Sequence, residues 1–351
     1  MNDDLTVLHL VNTLQWGGVR KHVLDLAAGL TRHGVRSLIA AWLPPDDALR
    51  DDPGVLPLPL YGESGTRKSP SGFLVSLHGL RLRLRSEQVR ILHMHSRYAT
   101  MLGSLAVGST QVRRIYTAHN TFEDLRWLPW YPSDVIVPSV AVREHFLAQV
   151  RSAEDRRLHV IAHGIALPEL PPPRAESPPR FCFAGRLCEE KGVQILYDAL
   201  RTLRDADGTV PLVDIIGDGP LLTWLRERAR KEFPGGTVRV HGYSATPVDV
   251  IAGADALIFP SLRLDSVGYV NLEALSSGVP VIASDLAALA SIVVPDVTGL
   301  VFPAGDAAAL AEALRRALRD RAAMRAMGAR GREYVRKEHG IDRMCAETAA
   351  V

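Results

Sequence analysis

Cysteine is scarce: the 351 residues contain three, Cys182, Cys188 and Cys345. An odd number without metal-ligand spacing excludes a disulfide framework and a thiolate metal centre, and fits a reducing compartment. Net charge is nearly absent as well, with 41 Lys+Arg against 39 Asp+Glu and a formal charge of +2. Both signs are interspersed, so there is no bulk attraction to nucleic acid and any anion recognition has to be local. Long hydrophobic runs are missing. No apolar stretch approaches the roughly 18 residues of a membrane span, and the start of the chain is acidic where a signal peptide is basic. The expectation is a soluble, cytoplasmic protein, at most peripheral to a membrane. Repeats of 20–50 residues are absent too, which excludes a solenoid or propeller.

What the sequence does have is length and rhythm. Its length suits two domains of about 100–200 residues, each with a core of its own. Short apolar runs recur at 5–11, 35–42, 89–94, 112–117 and 135–138, with helical patterns at 19–30 and 141–150 between them. Continuous apolar strands alternating with helices predict a parallel sheet covered on both faces. The stretch 44–68, broken by Pro, Gly and Asp, reads as loop. A second alternation places strands at 180–184, 213–216, 238–240, 256–259 and 279–283, and helices then fill 306–319, 321–337 and 342–348. Between the two sets, residues 167–179 hold six of the 23 prolines, a stiff segment unfit for a central strand and suited to a linker. The expected organisation is therefore residues 1–166, the linker 167–179, a second domain 180–335, and a C-terminal helix in 336–351. Two doubly wound α/β domains facing a cleft carry their ligands beyond the carboxyl ends of the strands.

Three motifs sit at such places. Trp16-Gly17-Gly18 follows the first strand and opens a helix, which suits either an anion cradle or a plain tight turn. The run 183–192, Phe-Ala-Gly-Arg-Leu-Cys-Glu-Glu-Lys-Gly, delivers Arg186 and Lys191 into a loop after a strand. Two cations five residues apart suit a pyrophosphate clamp, each charge-assisted bond contributing about 1.5–3 kcal/mol, or ordinary ion pairs with Glu189 and Glu190. In the run 265–275, Asp265, Ser266 and Val267 precede Gly268, where a predicted helix 269–277 begins with Tyr269 and contains Glu273. Its free amides and dipole favour an anion by up to about 2 kcal/mol, and its two carboxylates suit a hydroxyl-rich ligand. The nearest approach to a dinucleotide fingerprint, Gly217-Asp218-Gly219, has Leu222 where the third glycine belongs, which speaks against a nicotinamide-dependent dehydrogenase.

The run from Asp265 to Glu273 resembles the E-x7-E signature of retaining glycosyltransferases of the GT-B fold, family 4. Residues 183–192 resemble that family's G-R-x-x-x-x-K-G loop, 160–165 its V-I-x-N-G-I segment, and Gly17-Gly18 its glycine pair. The resemblance covers essentially the whole chain. It implies a nucleotide-sugar donor in the C-terminal domain, an acceptor in the N-terminal domain, and a last helix crossing back to the first domain. Residue by residue it gives Arg186 and Lys191 to the donor pyrophosphate, Glu273 to the ribose, and Asp265 with amides near Gly268 to the donor sugar. His119, in Thr117-Ala118-His119-Asn120 after a strand, matches a histidine beside the reacting sugar, and His95, in His93-Met94-His95, a second cleft residue. Three positions depart from the pattern: Asp265 stands for the usual glutamate, Val267 where an aromatic is common, and His163 for asparagine.

Trp127 and Trp130 suit sugar stacking at an acceptor site, and the loop 62–72 borders the same pocket. Arg81, Arg83 and Arg85 suit either solvent or anionic lipid headgroups. The expected reaction is transfer of a sugar, favoured as a UDP-sugar over a GDP-sugar, to a hydroxyl of a glycan, a lipid-linked or a small-molecule acceptor. No resident cofactor and no metal are expected, because Arg186, Lys191 and helix amides supply the positive charge. A sugar-nucleotide epimerase of the same fold and a non-catalytic sugar-nucleotide-binding protein are the alternatives.

Overall fold

The computed structural model describes residues 5–14, 17–58, 70–119, 131–150, 153–170, 178–208, 210–263, 268–287 and 289–351. The chain forms two compact units, 1–164 with 341–351, and 165–340. Within the described residues the first unit contains β1 (Thr6–Thr13), α1 (Gly18–Arg32), β2 (Arg36–Trp42), β3 (Val55–Pro57), α2 (Pro70–Ser86), β4 (Ile91–Met94), α3 (Arg97–Val107), β5 (Arg113–Thr117), β6 (Asp134–Val137), α4 (Val140–Gln149) and β7 (Arg157–Val160). The second contains β8 (Arg180–Ala184), α5 (Val193–Asp207), β9 (Leu212–Ile216), α6 (Leu222–Glu232), β10 (Val238–Gly242), α7 (Pro247–Ala252), β11 (Ala256–Phe259), α8 (Tyr269–Ser276), β12 (Val281–Ser284), β13 (Gly299–Phe302), α9 (Ala307–Arg319) and α10 (Arg321–Glu338). The helix α11 (Ile341–Ala350) returns to the first unit.

Each unit is built on one parallel sheet, ordered β3-β2-β1-β4-β5-β6-β7 in the first and β10-β9-β8-β11-β12-β13 in the second. The order reverses between β1 and β4, and again between β8 and β11. Such a reversal splits the loops leaving two neighbouring strands to opposite faces and opens a crevice at their carboxyl ends.

Strand alternation decides what each face carries. Leu8, Leu10, Leu92 and Met94 join the core with residues of α2, α3 and α4. Their out-of-phase neighbours on the other face meet α1 and α11, where Ile115, Ile136 and Ile161 pack with Leu26, Leu30, Met344 and Cys345. Gly29 makes this packing close: a Cβ there stands 2.1 Å from Cys345 Sγ. In the second unit Phe181, Phe183, Val213 and Ile215 pack against α5, α6 and α9.

Three strands have no counterpart in the apolar pattern of the sequence. β3 lies inside 44–68, read as loop, which also holds a 3-10 turn at Ala48–Asp51. β7 closes the sheet at its edge with alternating Arg, Leu, His and Val, and β13 is a four-residue edge strand. Of the loop expected at 62–72, residues 70–72 are instead the first turn of α2, opened by Pro70, a residue well suited to a helix start. Of the segment expected to link the domains, 167–170 lies with the second unit, where Arg332 donates to the Pro168 carbonyl at 2.8 Å. The same unit pairs Ile165 with Gly340 in a parallel bridge.

Candidate active site

In the second unit three loops leaving the carboxyl ends of β8, β9 and β11 are stitched together by backbone bonds. Leu187 N donates to the Asp218 carbonyl at 2.8 Å, Leu221 N to the Leu187 carbonyl at 3.0 Å, and Leu262 N to the Glu190 carbonyl at 2.9 Å. Two glycines permit this closeness. Gly217 has φ 147°, and a Cβ on it stands 1.8 Å from the Gly185 carbonyl oxygen; Gly192, left-handed at φ 67°, is walled in equally by the Pro260 carbonyl. A side chain at either position has both the wrong dihedral and no room.

Arg186 and Lys191 lie in the first of these loops and differ in setting. Arg186 is exposed, while Lys191 is half-buried, its ammonium 5.7 Å from the centre of the Phe259 ring. Burial pulls the Lys191 ammonium below the ordinary lysine value, with Arg186 adding to the shift and Glu190 opposing it. Gly268 is the N-cap of α8 and, as a glycine, itself supplies no side-chain bond to the first amides of that helix. Tyr269 is buried in its first turn and Glu273 is half-buried one turn later. Asp265, Ser266 and Val267 lie outside the described residues, as do Trp127 and Trp130.

In the first unit Gly17, at φ 141°, caps α1 without a side-chain bond, and Gly18 is its first residue. The preceding loop is pinned by Arg20, which donates to the Leu14 carbonyl and to Asp47 Oδ2 at 2.6 Å. This half-buried pair was not singled out in the sequence, because it joins an ordinary helix arginine to a residue of the proline-broken stretch.

The predicted cleft histidines, His95 and His119, belong to something larger. His9 on β1, His22 on α1, His93 on β4, and His95, His119 and His163 after β4, β5 and β7 are all buried and packed ring to ring. They occupy the α1-facing side of the sheet toward its carboxyl edge, where His9 and His93 are partners in register. His9 Nδ1 lies 3.1 Å from His95 Nε2, His95 Nδ1 lies 3.0 Å from His119 Nε2, and His93 Nε2 lies 2.7 Å from Thr117 Oγ1. The rings of His22 and His119 meet edge to face at 4.6 Å.

Burial disfavours imidazolium strongly. It lowers His9 and His119 to about 3, and it sets His22, His93 and His95 well below the ordinary value, where neighbouring histidines lower them further. His9 and His22 were invisible as cluster members from sequence. One sits in the apolar run Leu8-His9-Leu10 and the other inside an amphipathic helix; only the non-sequential pairing of β1 with β4 brings them to His95.

Both halves of the chain match described glycosyltransferase sequences. Residues 171–334 match Glycosyl transferases group 1, and residues 16–168 match Glycosyltransferase Family 4. A phosphatidyl-myo-inositol mannosyltransferase of Mycobacterium leprae is 29% identical over 345 residues, covering 92% of this chain and 89% of that protein. A GDP-mannose-dependent alpha-(1-6)-phosphatidylinositol monomannoside mannosyltransferase of Mycobacterium tuberculosis is 33% identical over 183 residues, 50% of this chain and 47% of that protein. Among solved structures, Anabaena HepE in complex with UDP-glucose superposes with a TM-score of 0.79 at 18% identity, covering 99% of each chain. With two reversed-order parallel sheets and family matches along nearly its whole length, the chain belongs to the family 4 glycosyltransferases of the GT-B fold.

Proposed function

We propose that this glycosyltransferase is a retaining enzyme that moves a sugar from a nucleoside diphosphate to an acceptor hydroxyl without a metal ion. One observation supports the reading: Lys191 is a half-buried ammonium beside the Phe259 ring, on a loop whose backbone is bonded to the loops after β9 and β11 where glycines permit the close approach. A cation partly withdrawn from water at a sheet's switch point attracts a diphosphate far more strongly than one on the surface. Arg186, more exposed, closes on the outer phosphate oxygens, and the first amides of α8 take part of the remaining charge. Glu273 receives the ribose hydroxyls, Asp265, Ser266, Val267, Gly268 and Tyr269 line the sugar, and Gly17 and Gly18 leave space and amides for an anionic group of the ligands. His119 hydrogen-bonds a donor-sugar hydroxyl. As charge builds on the departing diphosphate, Lys191 and Arg186 stabilise it, and a donor phosphate oxygen takes the proton of the attacking hydroxyl on the face the leaving group vacates.

The donor is read as a UDP-sugar, with GDP-mannose as the competing donor in the deciding experiment. A thermal-shift screen of UDP, GDP and ADP with their sugar conjugates, with and without chelator, separates these readings. Stabilisation by a UDP-sugar in chelator supports them; a requirement for a divalent cation overturns the metal-free account, and preference for GDP-mannose overturns the choice of base. Anomeric configuration of the product, read by proton NMR, tests retention.

The acceptor is read as a glycan, a lipid-linked sugar or a small molecule presented near a membrane surface, with Trp127 and Trp130 as stacking residues. Support for the membrane comes from α2, whose outer face exposes Leu74, Val75 and Leu82 beside Arg81 and Arg85. Apolar side chains beside arginines on one helical face suit the headgroup boundary of anionic lipid. Among the described residues no helix is long and apolar enough to cross a membrane. Co-sedimentation with phosphatidylglycerol vesicles, lost in an Arg81→Glu, Arg85→Glu variant, is the expected outcome.

A further inference from the structure

Three of the buried imidazoles form one continuous chain. His9 Nδ1 meets His95 Nε2 at 3.1 Å, and His95 Nδ1 meets His119 Nε2 at 3.0 Å. Each of these bonds needs one N–H and one bare nitrogen, and a neutral imidazole owns one of each. The two bonds are therefore locked together: all three rings carry the proton on Nδ1, or all three carry it on Nε2. His93 does not enter this choice, since its Nε2 is taken by the Thr117 hydroxyl, which donates or accepts as required.

His9 makes the choice. Its ring is fully buried, and its Nε2 has no partner among the described residues. Protons on Nε2 throughout strand an N–H there without an acceptor; protons on Nδ1 throughout leave only a bare ring nitrogen. Buried donors without acceptors are rarer in folded proteins than under-used acceptors. We infer that His9 is a positioning residue which, through His95, fixes the tautomer of His119, so that His119 keeps Nε2 bare and holds its proton on Nδ1, the nitrogen outside the chain. Burial keeps the rings neutral, as such a chain demands. A ring set this way offers a sugar hydroxyl a donor with no rotation or proton transfer needed beforehand.

The same six rings also fall into two triads, His9 with His93 and His95, and His22 with His119 and His163, in each of which the nearest nitrogens lie within 4.8 Å of one another. Neither triad contains a carboxylate. A doubly charged ion there has neutral ligands only in a buried setting, without the carboxylate partners that orient metal-bound histidines, so the observations favour the hydrogen-bonded chain over a metal.

The tautomer claim stands on geometry alone; its catalytic consequence rests on the role proposed for His119. Long-range 15N–1H correlation spectra of the full chain, labelled at histidine and assigned with single variants, test the first part. The expected pattern is a protonated Nδ1 and a bare Nε2 at His9, His95 and His119. A protonated Nε2 at His119, or exchange between both forms, overturns the inference, and so does stoichiometric Zn2+ uptake that removes the bridging N–H signals.

His9→Leu removes the end of the chain and releases His119 into a mixture of tautomers, whereas His9→Asn offers an amide donor in place of Nδ1–H and retains the pattern. Glycosyl transfer then falls about tenfold in kcat at unchanged donor KM in His9→Leu and recovers in His9→Asn. An intact tautomer switch with unchanged kcat overturns the role of His119 in the reaction and leaves the chain itself standing. If His9→Leu fails to fold, His95→Asn is read by the same spectra.

Discussion

At the carboxyl edge of the first sheet, six imidazoles are buried with one another near α1; at the same edge of the second, glycines let three backbone loops close on one another, one of them carrying Lys191. Both edges grow from the same strand order. The first edge is made of side chains stacked on one another and joined by a few ring-to-ring hydrogen bonds, so its integrity depends on their protonation. The second is made of main chain, which does not titrate, so its integrity depends on the absence of a Cβ. One topology therefore tolerates two chemistries with opposite weaknesses, and this contrast can be tested from each side.

Acid is expected to have the largest effect. Unfolded histidines bind protons below about pH 6.5, while His9 and His119 stay neutral in the folded state down to about 3 and His22, His93 and His95 are shifted the same way. The unfolded state thus takes up more protons through this window, and stability falls as the pH drops from 6.5. His9 and His119 each give up about 2 kcal/mol by pH 5, and the other three rings add to the loss in the same direction. Hydrogen exchange read by mass spectrometry should show the first unit opening on acidification while the second stays protected. Simultaneous opening of both units breaks the comparison.

Lys191→Ala comes next. With the backbone loops unchanged, donor turnover is expected to fall by about 10²–10³, the usual loss when one charge-stabilising donor is removed, with the thermal midpoint nearly constant. Near-normal transfer by a folded variant would falsify the phosphate role. Gly217→Ala acts on the wall instead of the charge. A Cβ pressed against the Gly185 carbonyl costs about 2–3 kcal/mol, confined to the second unit and measurable by urea unfolding. The smallest effect is expected from Thr117→Val, which keeps the shape but deprives His93 Nε2 of its partner. It should cost about 1–2 kcal/mol, confined to the first unit. A loss in the second unit from this variant contradicts the division of labour.

These contrasts explain which parts of the molecule were legible in the sequence. β8 and β11 appear as written, Arg180–Ala184 and Ala256–Phe259, because each is a short apolar run between turn residues. The loop after β8 was readable in position, since Gly185, Arg186, Lys191 and Gly192 stand in one local run, but the approach of Gly217 to Gly185 was not, because it follows from the pairing of β8 with β9. β7 was not, because an edge strand with one covered face alternates Arg and His with apolar residues and makes no run. β3 was hidden by the prolines around it. The imidazole layer was half visible. His95 and His119 stand at strand ends and drew notice, but His9 and His22 acquire meaning only when β1 pairs with β4 across an intervening 77 residues of chain between Thr13 and Ile91.

Residues 165–340 form one unbroken stretch, and Ile165 and Gly340 are paired, so the second unit enters and leaves the first as an insertion with its two ends side by side. During synthesis that stretch is complete before α11 exists. The first unit meanwhile lacks Met344 and Cys345, which cover Leu26, Leu30, Ile115 and Ile136. A nascent chain therefore finishes its second unit while its histidine-bearing first unit still shows an open apolar seam, and the order of completion runs opposite to the order in which the units begin in the sequence.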